Sequence, residues 1–294
     1  MQLTHFLLLA GALGATAHPS GHAHLHRSVQ ARRDGPAHVK NVHNRPIPKS
    51  AAAAAKVADP APSVAPSPKP KPSEDNESES DEFIPFCGGT SSKSKRVTYE
   101  QVMYTGNQGT NNGCEWNSNL MLVPNSIADK YKYVQEYKNV ADETYQVICA
   151  NKMGADGGLT GMFEVEGQKQ LIFNLEPGET KTVVADKNTQ GVCAFAPGKI
   201  QKTLHGQYAG VWAEFDFENT SNTGWSGADC SSLVAQHYKL DVPGCRMSEG
   251  GVDSTILAGG IGDNAYTKGM EKLDGIGLNI VPGKTVIKVY VGFS

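Results

Sequence analysis

The chain has 294 residues, a formal net charge of −3, and 39% hydrophobic against 19% charged residues. From Val97 onward acidic residues outnumber basic ones. That balance argues against nucleic acid and anionic membranes as partners and leaves neutral polymers open.

Residues Met1–Ala17 read MQLTHFLLLAGALGATA. A short apolar core followed by Ala15-Thr16-Ala17, a small-x-small triplet, predicts a signal peptide with His18 as the first mature residue. The apolar run is too short to span a bilayer, so the expected product is secreted and extracellular, with cell-wall association as a natural destination. Residues 18–82 are poor in large apolar side chains. They hold a His-rich patch, the dibasic pair Arg32-Arg33, the run Ala51–Ala55, and a Pro-rich and then acidic stretch. That composition predicts a disordered linker and a candidate propeptide, with Lys95-Arg96 as a second dibasic processing site. Asn76 opens one glycosylation sequon and Asn219 opens another.

Residues 83–294 read as one disulfide-bonded, β-rich domain, long enough to bury a core. Cys87, Cys114, Cys149, Cys193, Cys230 and Cys245 predict three disulfides in an exported protein. The favoured pairs are Cys149–Cys193, both in strand-like runs, and Cys230–Cys245, across the turn at Pro243-Gly244. Strand composition bounded by turn residues marks 119–123, 145–150, 161–165, 171–175, 180–185, 191–195, 211–218 and 285–293. Asn125 or Ser126 is expected to cap a short helix through Tyr133, and a second helix is expected over 263–273. Many short strands predict a mainly β fold, an antiparallel β-sandwich or a barrel with short helices.

The run Val211–Glu218, VWAEFDFE, carries the most chemistry. Alternation puts Val211, Ala213, Phe215 and Phe217 on one face and Trp212, Glu214, Asp216 and Glu218 on the other. A row of carboxylates beside an indole suits a cleft for a sugar chain, and crowding raises at least one carboxyl pKa toward that of a general acid. The plainer expectation is the solvated outer face of an antiparallel strand. The polar loop around Trp225 offers a second stacking platform or a plug for the end of the sandwich. Asp229 is placed either in the same cleft as Glu214 or as a cap for the 231–236 segment. The candidate ligand-binding set is therefore Trp212, Glu214, Asp216, Trp225 and Asp229, with Glu214, Asp229 and Asp216 as catalytic candidates. No cofactor and no metal are expected. No Cys, His or Asp stands at metal-ligand spacing from His205 or His237 in the sequence, and Gly259-Gly260-Ile261-Gly262 lacks the context of a phosphate loop.

The segments NKMGADGGLTGMF (Asn151–Phe163), EPGETKTVVADKNTQG (Glu176–Gly191) and WAEFDFENTSNTGWSGAD (Trp212–Asp229) resemble the secreted Aspergillus fumigatus allergen family designated Asp f four. The resemblance implies a secreted fungal protein bound by host immunoglobulin E. A weaker resemblance links Ala213-Glu214-Phe215 and Asp229-Cys230-Ser231 to thaumatin-like proteins, with Cys230 where that pattern has valine. It implies a β-sandwich in which Glu214 and Asp229 are cleft acids facing β-1,3-glucan. Three functions follow as expectations: a non-catalytic wall protein with cell-wall β-glucan as partner, a β-1,3-glucan hydrolase, and a secreted effector.

Overall fold

The computed structural model describes residues 82–87, 106–273 and 275–294. The expected signal peptide, the linker up to residue 81, both dibasic sites and the Asn76 sequon lie outside the described residues. Thirteen strands are described: β1 (Leu120–Val123), β2 (Tyr133–Asn139), β3 (Tyr145–Asn151), β4 (Leu171–Leu175), β5 (Thr180–Ala185), β6 (Thr189–Pro197), β7 (Val211–Asn219), β8 (Trp225–Ser231), β9 (Cys245–Glu249), β10 (Val252–Leu257), β11 (Ile261–Asp263), β12 (Leu278–Ile280) and β13 (Thr285–Val291). A single-turn helix, α1 (Leu233–His237), follows β8. The fold is mainly β, a two-sheet sandwich. One sheet has the order β1-β5-β2-β13-β9-β10-β11 and the other β12-β8-β7-β6-β3-β4. Neighbours are antiparallel except β2 and β13, which run parallel through the middle of the seven-stranded sheet.

The inward faces of the two sheets meet in an aromatic and β-branched core. Tyr133, Tyr137, Ile287 and Val289 from the seven-stranded sheet pack toward Phe195, Phe215 and Phe217 from the other. Tyr133 and Phe217 have ring centroids 5.1 Å apart, and Phe215 and Phe217 5.4 Å. Each buried ring removes on the order of 150–250 Å² from water, so this cluster supplies much of the driving force. Three disulfides pin the layers. Cys149–Cys193 joins β3 to β6 within the core, Cys230–Cys245 joins β8 to β9 across the sheets, and Cys87–Cys114 ties the entering segment to the domain. Both favoured pairs therefore form. The entering segment also docks on Tyr131, whose hydroxyl donates to the Ile84 carbonyl at 2.8 Å and whose ring meets Phe83 and Phe86.

The central strands of the six-stranded sheet, β3, β6 and β7, are covered on both faces. The outer face of the sheet carries Ile148, Ala150, Val192, Ala194 and Trp212, and Trp116, Met162, Ile200, Ala209 and Val234 close over them. Strands buried on both faces lose the apolar-in, polar-out contrast of a half-solvated sheet. The expected solvated face of 211–218 is thus replaced by a second, smaller core.

Several expectations are corrected. Residues 161–165 form turns and one isolated bridge, Phe163 to Gln207, instead of a strand. Gly161 explains this, because a Cβ there would sit 1.6 Å from the Asn151 carbonyl oxygen. The chain turns back on itself at a contact only glycine allows. Residues 263–273 are not helical. β11 ends at Asp263, and Gly269, at φ 93°, interrupts any helix beyond it. The expected helix to Tyr133 is a 3₁₀ segment, Asn125–Lys130, preceded by Pro124, and Tyr133 already begins β2.

Candidate functional site

Three rows cross the outer face of the six-stranded sheet. In the first, Ile148, Ala194, Trp212 and Ser231 are successive cross-strand neighbours; in the second, Ala150, Val192, Glu214 and Asp229; in the third, Gln190, Asp216 and Gly227. Lys152 extends the third row, because its N–H donates to the Gln190 carbonyl at 2.9 Å. Along β8 the same face carries Trp225, Gly227, Asp229 and Ser231, by the two-residue period of a strand. All five sequence candidates, Trp212, Glu214, Asp216, Trp225 and Asp229, therefore lie on one face of β7 and β8. Asp229 sits mid-strand and caps no helix.

Glu218 leaves this face. A bulge shifts the β7–β8 register between Asp216 and Asn219, and Glu218 takes φ 48°. One extra residue on a bulged strand redirects the side chains beyond it. Glu218 instead pairs with Lys132 at 2.9 Å and accepts from the Tyr133 hydroxyl. Partial burial pushes its pKa up, but the Tyr133 and Lys132 hydrogen bonds win and hold it below the ordinary value.

The remaining acids are sealed. Glu214 and Asp229 are 0% exposed, Asp216 3% and Lys152 4%. Burial pushes the Glu214 carboxyl up to about 8, against the opposing pull of a hydrogen bond from Ser231 and the Lys152 charge. Asp216 rises to about 7 for the same first reason, offset by Asn219 and Lys152. Asp229 is raised well above its ordinary value by burial and by Glu214 across the strand. Burial lowers Lys152 to about 8, which the two nearer carboxyls oppose. Neutral carboxyls in an apolar setting follow from the cost of burying an uncompensated charge. Lys152 and Gln190 were not legible as site residues. Their membership depends on strand pairing between segments far apart in sequence.

The three tryptophans separate cleanly. Trp116 and Trp212 are buried, and their indole N–H groups donate to the carbonyls of Met153 (2.9 Å) and Tyr208 (3.1 Å). Trp225 is half-buried at the start of β8, immediately after Gly224 at φ 82°. His205 and His237 both lie edge-on to Tyr238. No group of three or more metal-ligating side chains occurs among the described residues, and no helix among them is long and apolar enough to cross a membrane.

Asn219 is 1% exposed. Its amide Nδ2, the atom a glycan would occupy, donates to Asp216 at 2.6 Å, and its Oδ1 accepts from the backbone of Ser221 and Asn222. Peptide mapping of the protein expressed in a glycosylating host is expected to find Asn219 unmodified. A glycan there would show that modification precedes formation of the bulge.

Fold and site together define a disulfide-pinned β-sandwich with an array of buried acids on a covered sheet face. The chain belongs to the family described as the Allergen Asp f 4-like domain, whose model matches residues 118–291. That span runs from just before β1 to the end of β13 and bears out the resemblance read from the three sequence segments. Among curated relatives, the chain is 36% identical over 197 residues to Allergen Asp f 4 of Aspergillus fumigatus, covering 66% of this chain and 59% of the relative. The chain thus spans less than two thirds of that relative's length. Two solved structures match part of the chain. The protein elicitor MoHrip2 from Magnaporthe oryzae has 14% identity and a TM-score of 0.34, covering 55% of this chain and 99% of its own. The thaumatin-like xylanase inhibitor TLXI has 12% identity and a TM-score of 0.33, covering 53% and 97%.

Proposed function

We propose that this allergen-like protein is secreted, associates with the cell wall, and holds neutral β-glucan without cutting it. The observation that carries the non-catalytic part is the sealing of Glu214, Asp216 and Asp229 beneath the outer layer. A general acid has to reach the glycosidic oxygen within hydrogen-bond distance, and these carboxyls face the protein interior. Binding then falls to Trp225, the indole with surface to offer, on the same face of β8 as Asp229. The rest of the candidate set, Trp212, Glu214, Asp216 and Asp229, supports that rim from beneath. By its family, the protein is further proposed to be bound by immunoglobulin E of sensitised hosts, which an immunoblot with patient serum tests directly.

The binding test is retention on insoluble β-1,3-glucan, run beside a reducing-sugar assay. Wild type is expected to be retained with no sugar released. Trp225→Ala is expected to weaken retention by about 1–3 kcal/mol, the scale for a packed aromatic anchor. Glu214→Gln is expected to leave retention near wild type. Sugar release that disappears in Glu214→Gln would turn the reading to the hydrolase. Wild type that neither binds nor releases sugar would overturn the glucan reading.

A further inference from the structure

We propose that the sealed acids form a pH latch: in acid they hold the outer layer down on the six-stranded sheet, and above neutrality their ionisation releases it. Glu214 and Asp229 are directly opposed on adjacent strands and fully buried. Directly opposed cross-strand side chains have Cβ atoms about 4.5–5.5 Å apart, where like charges repel. Neither oxygen of Asp229 has a hydrogen-bond partner, nor do the side-chain atoms of Gln190 in the next row. As a neutral acid Asp229 is tolerable in that position; as an anion without donors it is not. The groups that face the pair are Ser231 on β8, Gln190 on β6, Asp216 with its partner Asn219 on β7, and Lys152 beyond β3. Lys152 answers Glu214 and Asp216, whereas Asp229 feels burial and Glu214, so the array cannot ionise completely and remain balanced.

The layer above is suited to release. Residues 152–170 form turns with no strand. They are held by scattered contacts: Trp116 to the Met153 carbonyl, the Glu164 N–H to Gly206, and the Tyr208 N–H to Met162. Segments without a hydrogen-bonded ladder open at lower free energy than core strands. The sign follows from the carboxyls. Raised groups contribute stability that is full below their unfolded values and is lost as pH climbs through about 7 for Asp216 and about 8 for Glu214. Lys152 is lowered to about 8, so its contribution is already lost and flat below that pH. The slope in the acid-to-neutral window therefore belongs to the acids.

Hydrogen exchange of the intact protein at about pH 5 and about pH 8.5, corrected for intrinsic rates, tests the latch. Peptides from 152–163 are expected to lose at least about ten-fold in protection at the higher pH, while β2 and β13 keep theirs. In the isosteric pair Glu214→Gln/Asp229→Asn only Asp216 is left to ionise, and the outer layer is expected to lose clearly less protection at the higher pH than in wild type. Equal protection of the wild type at both values would overturn the latch. So would a double variant that opens as much as wild type. Should the double variant not fold, Asp216→Asn, which can still accept from Asn219, must reduce the loss; an unchanged loss would likewise overturn it.

Discussion

A Cys149→Ala/Cys193→Ala double variant will be less stable than the wild type by about 2–5 kcal/mol. The bond closes a loop with a sequence separation of 44, for which chain entropy alone gives about 4 kcal/mol. Both cysteines are fully buried and directly paired across β3 and β6. Alanine introduces no polar group, so the loss reports the cross-link and the small volume of two sulfurs. Denaturant unfolding under non-reducing conditions reads it as a lower midpoint. A midpoint equal to wild type would mean that β3 and β6 are held by pairing and packing alone.

Phe215→Ala is the second large effect, expected at about 3–5 kcal/mol. Phe215 is 1% exposed in the centre of β7. Its ring lies over Gly191 of β6, where a Cβ would come within 2.6 Å of the ring. The glycine makes a slot that no neighbouring side chain can fill once the ring is gone, so the cavity persists. Ile172→Ala, at 52% exposure on the edge strand β4, serves as the control and should stay within about 0.5 kcal/mol. A Phe215→Ala loss no larger than that of Ile172→Ala would place the centre of the core elsewhere.

Strands bounded by strong turn residues were legible. Leu171–Leu175 and Thr180–Ala185 lie where alternation and the Pro177-Gly178 turn put them. β2 was not, because YVQEYKN interleaves charge with aromatics and buries a polar Gln135, whose Oε1 accepts from the Tyr137 hydroxyl. β8 was hidden for a different reason. Ser226, Gly227, Ala228 and Asp229 are poor strand formers, and the strand exists because β7 and β12 flank it. At the site, the face shared by Trp212, Glu214 and Asp216 followed from parity, a local property. Three things did not follow. The bulge that removes Glu218 depends on register with β8. The placement of Lys152 depends on β6. The covering of that face depends on residues such as Trp116 and Met162, far from β7 in sequence. Local periodicity reports which side of a strand a residue takes and says nothing about what later covers that side.

The parallel pairing of β13 with β2 bears on how the protein is made. β13 lies between β2 and β9 and touches both. Without it, the seven-stranded sheet is two separate ribbons, β1-β5-β2 and β9-β10-β11, each with an open edge. During synthesis those edges stay exposed until Thr285–Val291 has been produced. Closure then requires joining segments about 150 residues apart in sequence, the kind of non-local contact that folds slowly. A ribosome-stalled or prematurely terminated chain lacking these seven residues would present two unpaired edges to the quality-control machinery of the cell.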